Sequence, residues 1–186
     1  MDLNDYLAAT DTTAIYPGAG TGSPQALAYV GLGLAGEASE VLEKELADDV
    51  DGVRSELGDV AWYSARLHRE FGFDPAGTMR AALSIGMPGA RNATSLVVAT
   101  GRVAELTKKI LRDDTGAAAR ADAAESVTLS KERRFEVASA TVTVMRAWLA
   151  AHTFHLLDPA ETLAASAAKL ADRKERSVLS GSGDHR

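Results

Sequence analysis

Leu34-Ala35-Gly36-Glu37-Ala38-Ser39-Glu40-Val41-Leu42 and Glu56-Leu57-Gly58-Asp59-Val60-Ala61-Trp62-Tyr63 decide how this chain reads. In the first stretch apolar residues recur at three- and four-residue spacing, and the series reaches back through Val30 to Leu27. That is the period of a helix with one buried face. The second stretch behaves alike, with Leu57, Val60, Ala61, Ser64 and Leu67 as its inner stripe. Between them, Asp48-Asp49-Val50-Asp51-Gly52 has the composition of a turn. The spacing predicts helices over 25–47 and 53–71. A turn this short makes them antiparallel neighbours.

Each of these helices carries an acid pair at i,i+3: Glu37 with Glu40, and Glu56 with Asp59. Such a pair shares one helical face, about one turn apart. In an antiparallel hairpin, facing residues are centred on the turn. Glu37 with Asp59, and Glu40 with Glu56, are both centred on residue 48. The four carboxylates should therefore face one another beside the apolar stripe, repel, and raise each other's pKa. A hard divalent cation relieves that repulsion. Mg²⁺ takes oxygen ligands and commonly links carboxylates to phosphates, so the pattern points to phosphate-ester or phosphoanhydride chemistry. The competing reading is a solvated acidic face, because Glu43, Glu45, Asp48, Asp49 and Asp51 make the whole hairpin acidic.

The rest of the composition agrees with helices. Of 186 residues, 35 are alanine and only 5% are aromatic, which argues against an all-β fold. Hydrophobic residues make up 46% and charged ones 25%, as in a globular domain rather than a disordered chain. The net charge of −6 gives no basic face for a nucleic-acid polymer. There is no cysteine, hence no disulfide, zinc-thiolate site or thiol nucleophile. The acidic start, Met1-Asp2-Leu3-Asn4-Asp5, lacks the apolar core of a signal peptide, and no run is apolar enough to span a membrane. A cytoplasmic protein is the expectation.

Outward from the hairpin, Leu3 to Ala9 suits a short helix. Pro17 and Pro24 bracket a loop, Gly18-Ala19-Gly20-Thr21-Gly22-Ser23, with no preceding strand and no Lys-Ser/Thr ending, so it is not a phosphate loop. Gly72 caps one helix and Asp74-Pro75 starts another. Residues 84–92 form a break, and helices follow over 94–111, 131–154 and 159–176. Residues 113–130 read as a loop or a loose helix. The whole is an all-α helical bundle.

A faint repeat runs through the chain. Asp74-Pro75-Ala76-Gly77-Thr78 returns as Asp158-Pro159-Ala160-Glu161-Thr162, and Gly36, Glu40, Lys44 and Leu46 align with Gly101, Glu105, Lys109 and Leu111. Residues 25–86 would then be a catalytic first repeat and 94–176 a degenerate second one. In the second, Arg102, Ala140 and Thr143 replace Glu37, Glu56 and Asp59, and no metal could be held.

The segment Gly31-Leu32-Gly33-Leu34-Ala35-Gly36-Glu37-Ala38-Ser39-Glu40-Val41, followed by Glu56-Leu57-Gly58-Asp59-Val60-Ala61-Trp62-Tyr63, resembles the MazG-like all-α nucleoside triphosphate pyrophosphohydrolases. Tyr6 and Thr13-Ala14-Ile15-Tyr16-Pro17 resemble the arm that precedes this motif in one subgroup. Lys169 to Arg176 and Leu179 to Arg186 resemble that subgroup's C-terminal signature. The likeness covers residues 1 to about 83 and the last 25 or so. It implies hydrolysis of a nucleoside triphosphate, NTP or dNTP, to the monophosphate and pyrophosphate. It implies Mg²⁺, with Mn²⁺ as a substitute, held by Glu37, Glu40, Glu56 and Asp59. It also implies that Lys169 and Arg173 approach the phosphates, and at i,i+4 they would form one cationic strip. Gly181-Ser182-Gly183, with Arg176 and Arg186, could close over bound phosphates as a backbone nest. Two positions depart from the family: Ser166 stands where asparagine is common, and Ser177 where glycine is common.

Tyr16, Trp62 and Tyr63 are the candidates for flanking a nucleobase, with core packing as the plainer role. His152 and His155 have metal-ligand spacing, but no acid pattern accompanies them and a packing role is preferred. Lys108, Lys109 and Arg112 are explained by a helix C-terminus. Two alternatives stand beside the general pyrophosphohydrolase: a dUTP/dCTP-specific enzyme of the dimeric dUTPase type, and a nucleotide-sensing regulator without turnover. Alanine-rich faces also leave room for a homo-oligomer.

Overall fold

The computed structural model describes residues 3–116 and 125–179. Among the described residues seven α-helices follow one another: α1 (Leu3–Asp11), α2 (Pro24–Leu46), α3 (Val50–Phe71), α4 (Pro75–Ser84), α5 (Thr94–Lys109), α6 (Lys131–His155) and α7 (Pro159–Glu175). The described residues form no strand. A π-helical turn, Ile110–Asp114, extends α5 where the sequence predicts plain helix to residue 111. The start of α3 also differs from expectation. Asp51 and Gly52 belong to the helix, because the Asp49 carboxylate accepts from the Gly52 amide at 2.9 Å and caps it three residues early.

Capping explains most of the other boundaries. Ser23, Asp74, Ser130 and Asp158 cap α2, α4, α6 and α7 with their side chains. Proline opens α2, α4 and α7, where its missing N–H costs nothing. Both α3 and α6 end on a left-handed residue, Gly72 and Leu156.

Helices α2 and α3 form the expected antiparallel hairpin, and α5 and α6 pack as a second pair. The pairs meet through α2 and α5, while α7 lies on α3 and α4 lies on α6. Leu27, Leu34, Leu57, Leu67, Leu96, Leu106 and Ile110 are almost wholly buried along these seams. Each contributes roughly 1.5–3 kcal/mol relative to exposure. Trp148 ties the pairs together by donating its indole N–H to the Leu57 carbonyl at 2.9 Å.

The two helical corners repeat one another in detail. His68 Nδ1 meets the Ser64 carbonyl at 2.7 Å, and its Nε2 meets the Thr78 hydroxyl at 2.9 Å. His152 makes the same contacts with the Trp148 carbonyl at 2.8 Å and the Thr162 hydroxyl at 3.0 Å. In each corner the amide one residue past the left-handed position returns to the histidine: Phe73 N donates to the His68 carbonyl at 2.8 Å, and Leu157 N to that of His152 at 2.9 Å. Both imidazoles are buried and neutral. Burial pushes the pKa of His68 down, and that of His152 down to about 4. A depressed histidine pKa means stability that is complete above the unfolded value and lost as pH falls through the folded one. Denaturant titrations of the wild type and His152→Gln between pH 7 and pH 4 should therefore converge, with the wild type losing about 3 kcal/mol more over that range. A constant difference would show that His152 does not charge on unfolding.

Candidate active site

The hairpin brings together three of the four predicted carboxylates. One oxygen from each of Glu37, Glu56 and Asp59 lies within 4.8 Å of the others. The turn is centred as the acid spacing requires, with Asp48 in the left-handed region at φ 54. Glu56 is buried, and Glu37 and Asp59 are half-buried. Glu40 is exposed and stands outside the cluster, one turn further along α2. Its side chain faces solvent instead of pairing across the seam with Glu56, and it acts on the cluster through its charge.

Charge and burial leave the cluster strained. Burial foremost, then Asp59, Glu40 and Glu56, push the Glu37 pKa up to about 8, against a smaller pull from Lys169. Lys169 reaches in from α7, with Nζ 2.6 Å from Asp59 Oδ2 and 3.3 Å from Ser55 Oγ. The close approach of α7 to α3 makes this contact reachable. A Cβ on Gly58 would lie 2.9 Å from that of Ser166. Ser166 donates to the Gly58 carbonyl at 3.2 Å and shares a 3.0 Å hydrogen bond with the Tyr6 hydroxyl. Ser166 thus forms part of the α1–α3–α7 seam.

Glu37 and Asp59 sit in the wall of a cleft with about 580 Å³ of empty volume. Tyr16, Tyr29, Trp62 and Tyr63 line it, and Leu170, Arg173 and Leu179 come from the C-terminal side. The three aromatic residues singled out from the sequence therefore share one cleft with the acids. Their rings form a connected group: Tyr16 stacks on Tyr29 at 4.7 Å between centroids, and Trp62 meets Tyr63 edge-on at 4.9 Å. Tyr29 was not among the sequence candidates. The available signal was its spacing, since Tyr29, Gly33 and Glu37 fall at i, i+4 and i+8 on α2. Gly33 is glycine for a visible reason: a Cβ there would overlap the Tyr63 ring.

Arg173 is buried in the cleft wall, one turn beyond Lys169. Arg176 is placed differently from expectation. It pairs with Asp172 at 2.7 Å on the exposed side of α7 and is not among the cleft-lining residues. Ser182 and Arg186 lie outside the described residues. His155 pairs with Glu45 at 2.8 Å, and His152 packs in its corner; among the described residues neither joins a cluster of metal-ligand type. Lys108 and Lys109 pair with Glu105, and Arg112 with Asp113, at the end of α5. Among the described residues no helix is long and apolar enough to cross a membrane.

A hard cation fits this donor set. Three carboxylates from two helices converge, and burial together with their mutual repulsion raises the Glu37 pKa, a combination that a divalent cation would relieve. Arg173 and four aromatic rings border the same cleft.

No family model matches this sequence. No solved structure matches it. The Gene 37 protein of Mycobacterium phage L5 is 44% identical to it over 79 residues, which cover 36% of this chain and 69% of the phage protein. At that identity and coverage, the chain belongs to the same family as the phage Gene 37 protein.

Proposed function

We propose that this protein hydrolyses a nucleoside triphosphate to the monophosphate and pyrophosphate with Mg²⁺, or Mn²⁺ in its place, as a MazG-like all-α pyrophosphohydrolase. One observation carries the reading: Glu37 and Asp59 of the carboxylate cluster open into the same cleft as Arg173 and four aromatic side chains. That is the order of parts a nucleotide requires, with phosphates at the acids and base among the rings.

Glu37, Glu56 and Asp59 would hold the cation, which would supply charge neutralisation for the phosphate oxygens. Arg173 adds fixed positive charge to the cleft wall from α7, and Lys169, one turn earlier on the same helix, adds it beside Asp59. Lys169 donates to Asp59, which sets its ammonium beside the acids where the phosphates would bind. The aromatic group excludes water from the base and orients the nucleotide along the cleft. In net terms, one water adds across a phosphoanhydride bond, and the monophosphate and pyrophosphate separate.

The repeated corners favour one particular form of this fold. The same His–Thr hydrogen bonds recur at 68/78 and 152/162, and α7 packs on α3 as α4 packs on α6. This supports residues 94–176 as a degenerate second copy, so that one chain would supply what two subunits of a dimer would. It is also what favours the dUTP/dCTP-specific reading, which belongs to the dimeric dUTPase type.

The test is a panel of the common NTPs and dNTPs with Mg²⁺ and then Mn²⁺, assayed for pyrophosphate release. Release from at least one nucleotide, abolished by chelation, is expected. No release from any, with either cation, would overturn the enzyme reading and leave the nucleotide-sensing regulator. A strong preference for dUTP or dCTP would select the narrower form.

A further inference from the structure

The glycine-rich loop before α2 lacks the sequence marks of a phosphate loop, yet its backbone has the form of an anion nest. Gly18, Gly20 and Gly22 all take positive φ, at 72°, 80° and 64°. The amides of Gly20 and Gly22 converge on one anion, and that anion belongs to the chain. Gly20 N lies 2.7 Å from Glu70 Oε1, and Gly22 N lies 2.9 Å from Glu70 Oε2. Tyr16, at the mouth of the same loop, donates its hydroxyl to Glu70 Oε1. Gly22 also has no room for a side chain, since a Cβ would lie 2.8 Å from the Glu70 carbonyl oxygen.

Glu70 is an unusual residue to place here. Its side chain is completely buried, and Arg66, 3.9 Å away, is already engaged with Asp11. A buried carboxylate is costly unless donors surround it. An aliphatic side chain would fill the same space more simply. What the carboxylate adds is direction: three donors from one loop must point at two oxygens. The Tyr16 hydroxyl is held from both sides, because it also accepts from Arg66 Nε at 3.2 Å. Its ring is thereby fixed against Tyr29 and edge-on to Trp62, at 6.1 Å between centroids, inside the cleft.

We propose that Glu70 is the positioning residue for the base end of the cleft: its carboxylate fills the nest of the 18–22 loop and locks Tyr16 as a fixed wall for a nucleobase. The inference rests on the nucleotide reading above and deepens it. Substrate discrimination then depends on a residue that never touches substrate.

The test compares the wild type with Tyr16→Phe, Glu70→Gln and Glu70→Ala, with folding checked by helical circular dichroism. For the nucleotide that the wild type hydrolyses best, Tyr16→Phe and Glu70→Gln should raise KM about tenfold and leave kcat within about twofold. Inhibition by inorganic tripolyphosphate, which carries the phosphates without a base, should stay unchanged. Amide exchange at Gly20 and Gly22 should accelerate at least tenfold in Glu70→Ala and stay slow in Tyr16→Phe. Equal weakening of nucleotide and tripolyphosphate binding would overturn the proposal, because Glu70 would then support the whole site. Unchanged exchange at Gly20 and Gly22 in Glu70→Ala would overturn it as well, whatever the enzyme activity. If the exchange result holds but the wild type neither turns over nor binds any nucleotide, the nucleotide reading falls and the base-wall role falls with it.

Discussion

Asp59→Asn and Glu56→Gln are each expected to lower kcat/KM for pyrophosphate release by about a thousandfold or more, with the helical fold retained. A thousandfold loss corresponds to about 4 kcal/mol of transition-state stabilisation. That is the size expected when a group holding the catalytic cation is made neutral. Each exchange keeps the volume of the side chain and removes only the charge. Glu56 and Asp59 stand on α3 and Glu37 on α2, so either loss leaves two carboxylates of the converging three. Glu40→Gln provides the internal comparison. Glu40 is exposed and outside the cluster, so its loss should cost about tenfold, through the field alone. The measurement is steady-state kinetics at saturating Mg²⁺ for all three variants. A loss in Asp59→Asn no larger than that in Glu40→Gln would remove the cluster from the mechanism.

The hairpin and its acids were legible because both depend on local rules. Apolar spacing gives the helices, the aspartate-rich turn gives their antiparallel sense, and acid pairs centred on residue 48 give the register. Caps such as Asp74 and Asp158 mark boundaries for the same reason, since each bonds within its own first turn. Glu40 was misplaced because an i,i+3 pair shares a face only loosely. One member can lie on the seam while the other, about 60° further round the helix, meets solvent. Tyr29 and Glu70 were not legible for a different reason. Their partners are remote in the chain: Tyr16 lies against both, and Glu70 is about fifty residues beyond the loop it anchors. No periodicity connects a glycine-rich loop to a carboxylate on the far side of a helical hairpin.

The corners at His68 and His152 present the opposite case. The Asp-Pro-Ala repeat was visible but rested on few identities. It gains physical content from hydrogen bonds that alignment cannot register, namely an imidazole bridging a carbonyl one turn back and a threonine ten residues on. On the proposed duplication, Arg102, Ala140 and Thr143 would stand at the positions corresponding to Glu37, Glu56 and Asp59, so the second copy would keep the corner and not the acids.

Burial of the Glu37 carboxylate, with the repulsion of its acidic neighbours added, has a measurable cost in the metal-free protein, and Glu37→Gln is expected to be more stable than the wild type at neutral pH. The folded pKa of Glu37, near 8, lies above its ordinary value of 4.5. A raised carboxylate pKa means that the folded state holds a proton the unfolded state has released. The associated stability is therefore present below pH 4.5 and is lost as pH rises through 8. With solvent screening of this half-buried group taken into account, the loss between pH 5 and pH 8 is roughly 2 kcal/mol. Wild type and Glu37→Gln should accordingly have similar Tm at pH 5, and the variant should lead by several degrees at pH 8 in the presence of a chelator. Adding Mg²⁺ should reverse the order. Cation binding favours the ionised carboxylates and stabilises the wild type by mass action, increasingly so as pH rises and less proton must be displaced. Glu37→Gln, with one charge fewer, should gain much less. A wild type whose Tm responds to Mg²⁺ no more than the variant's does, at pH 8, would mean that Glu37 is not a ligand and that its raised pKa reflects burial alone.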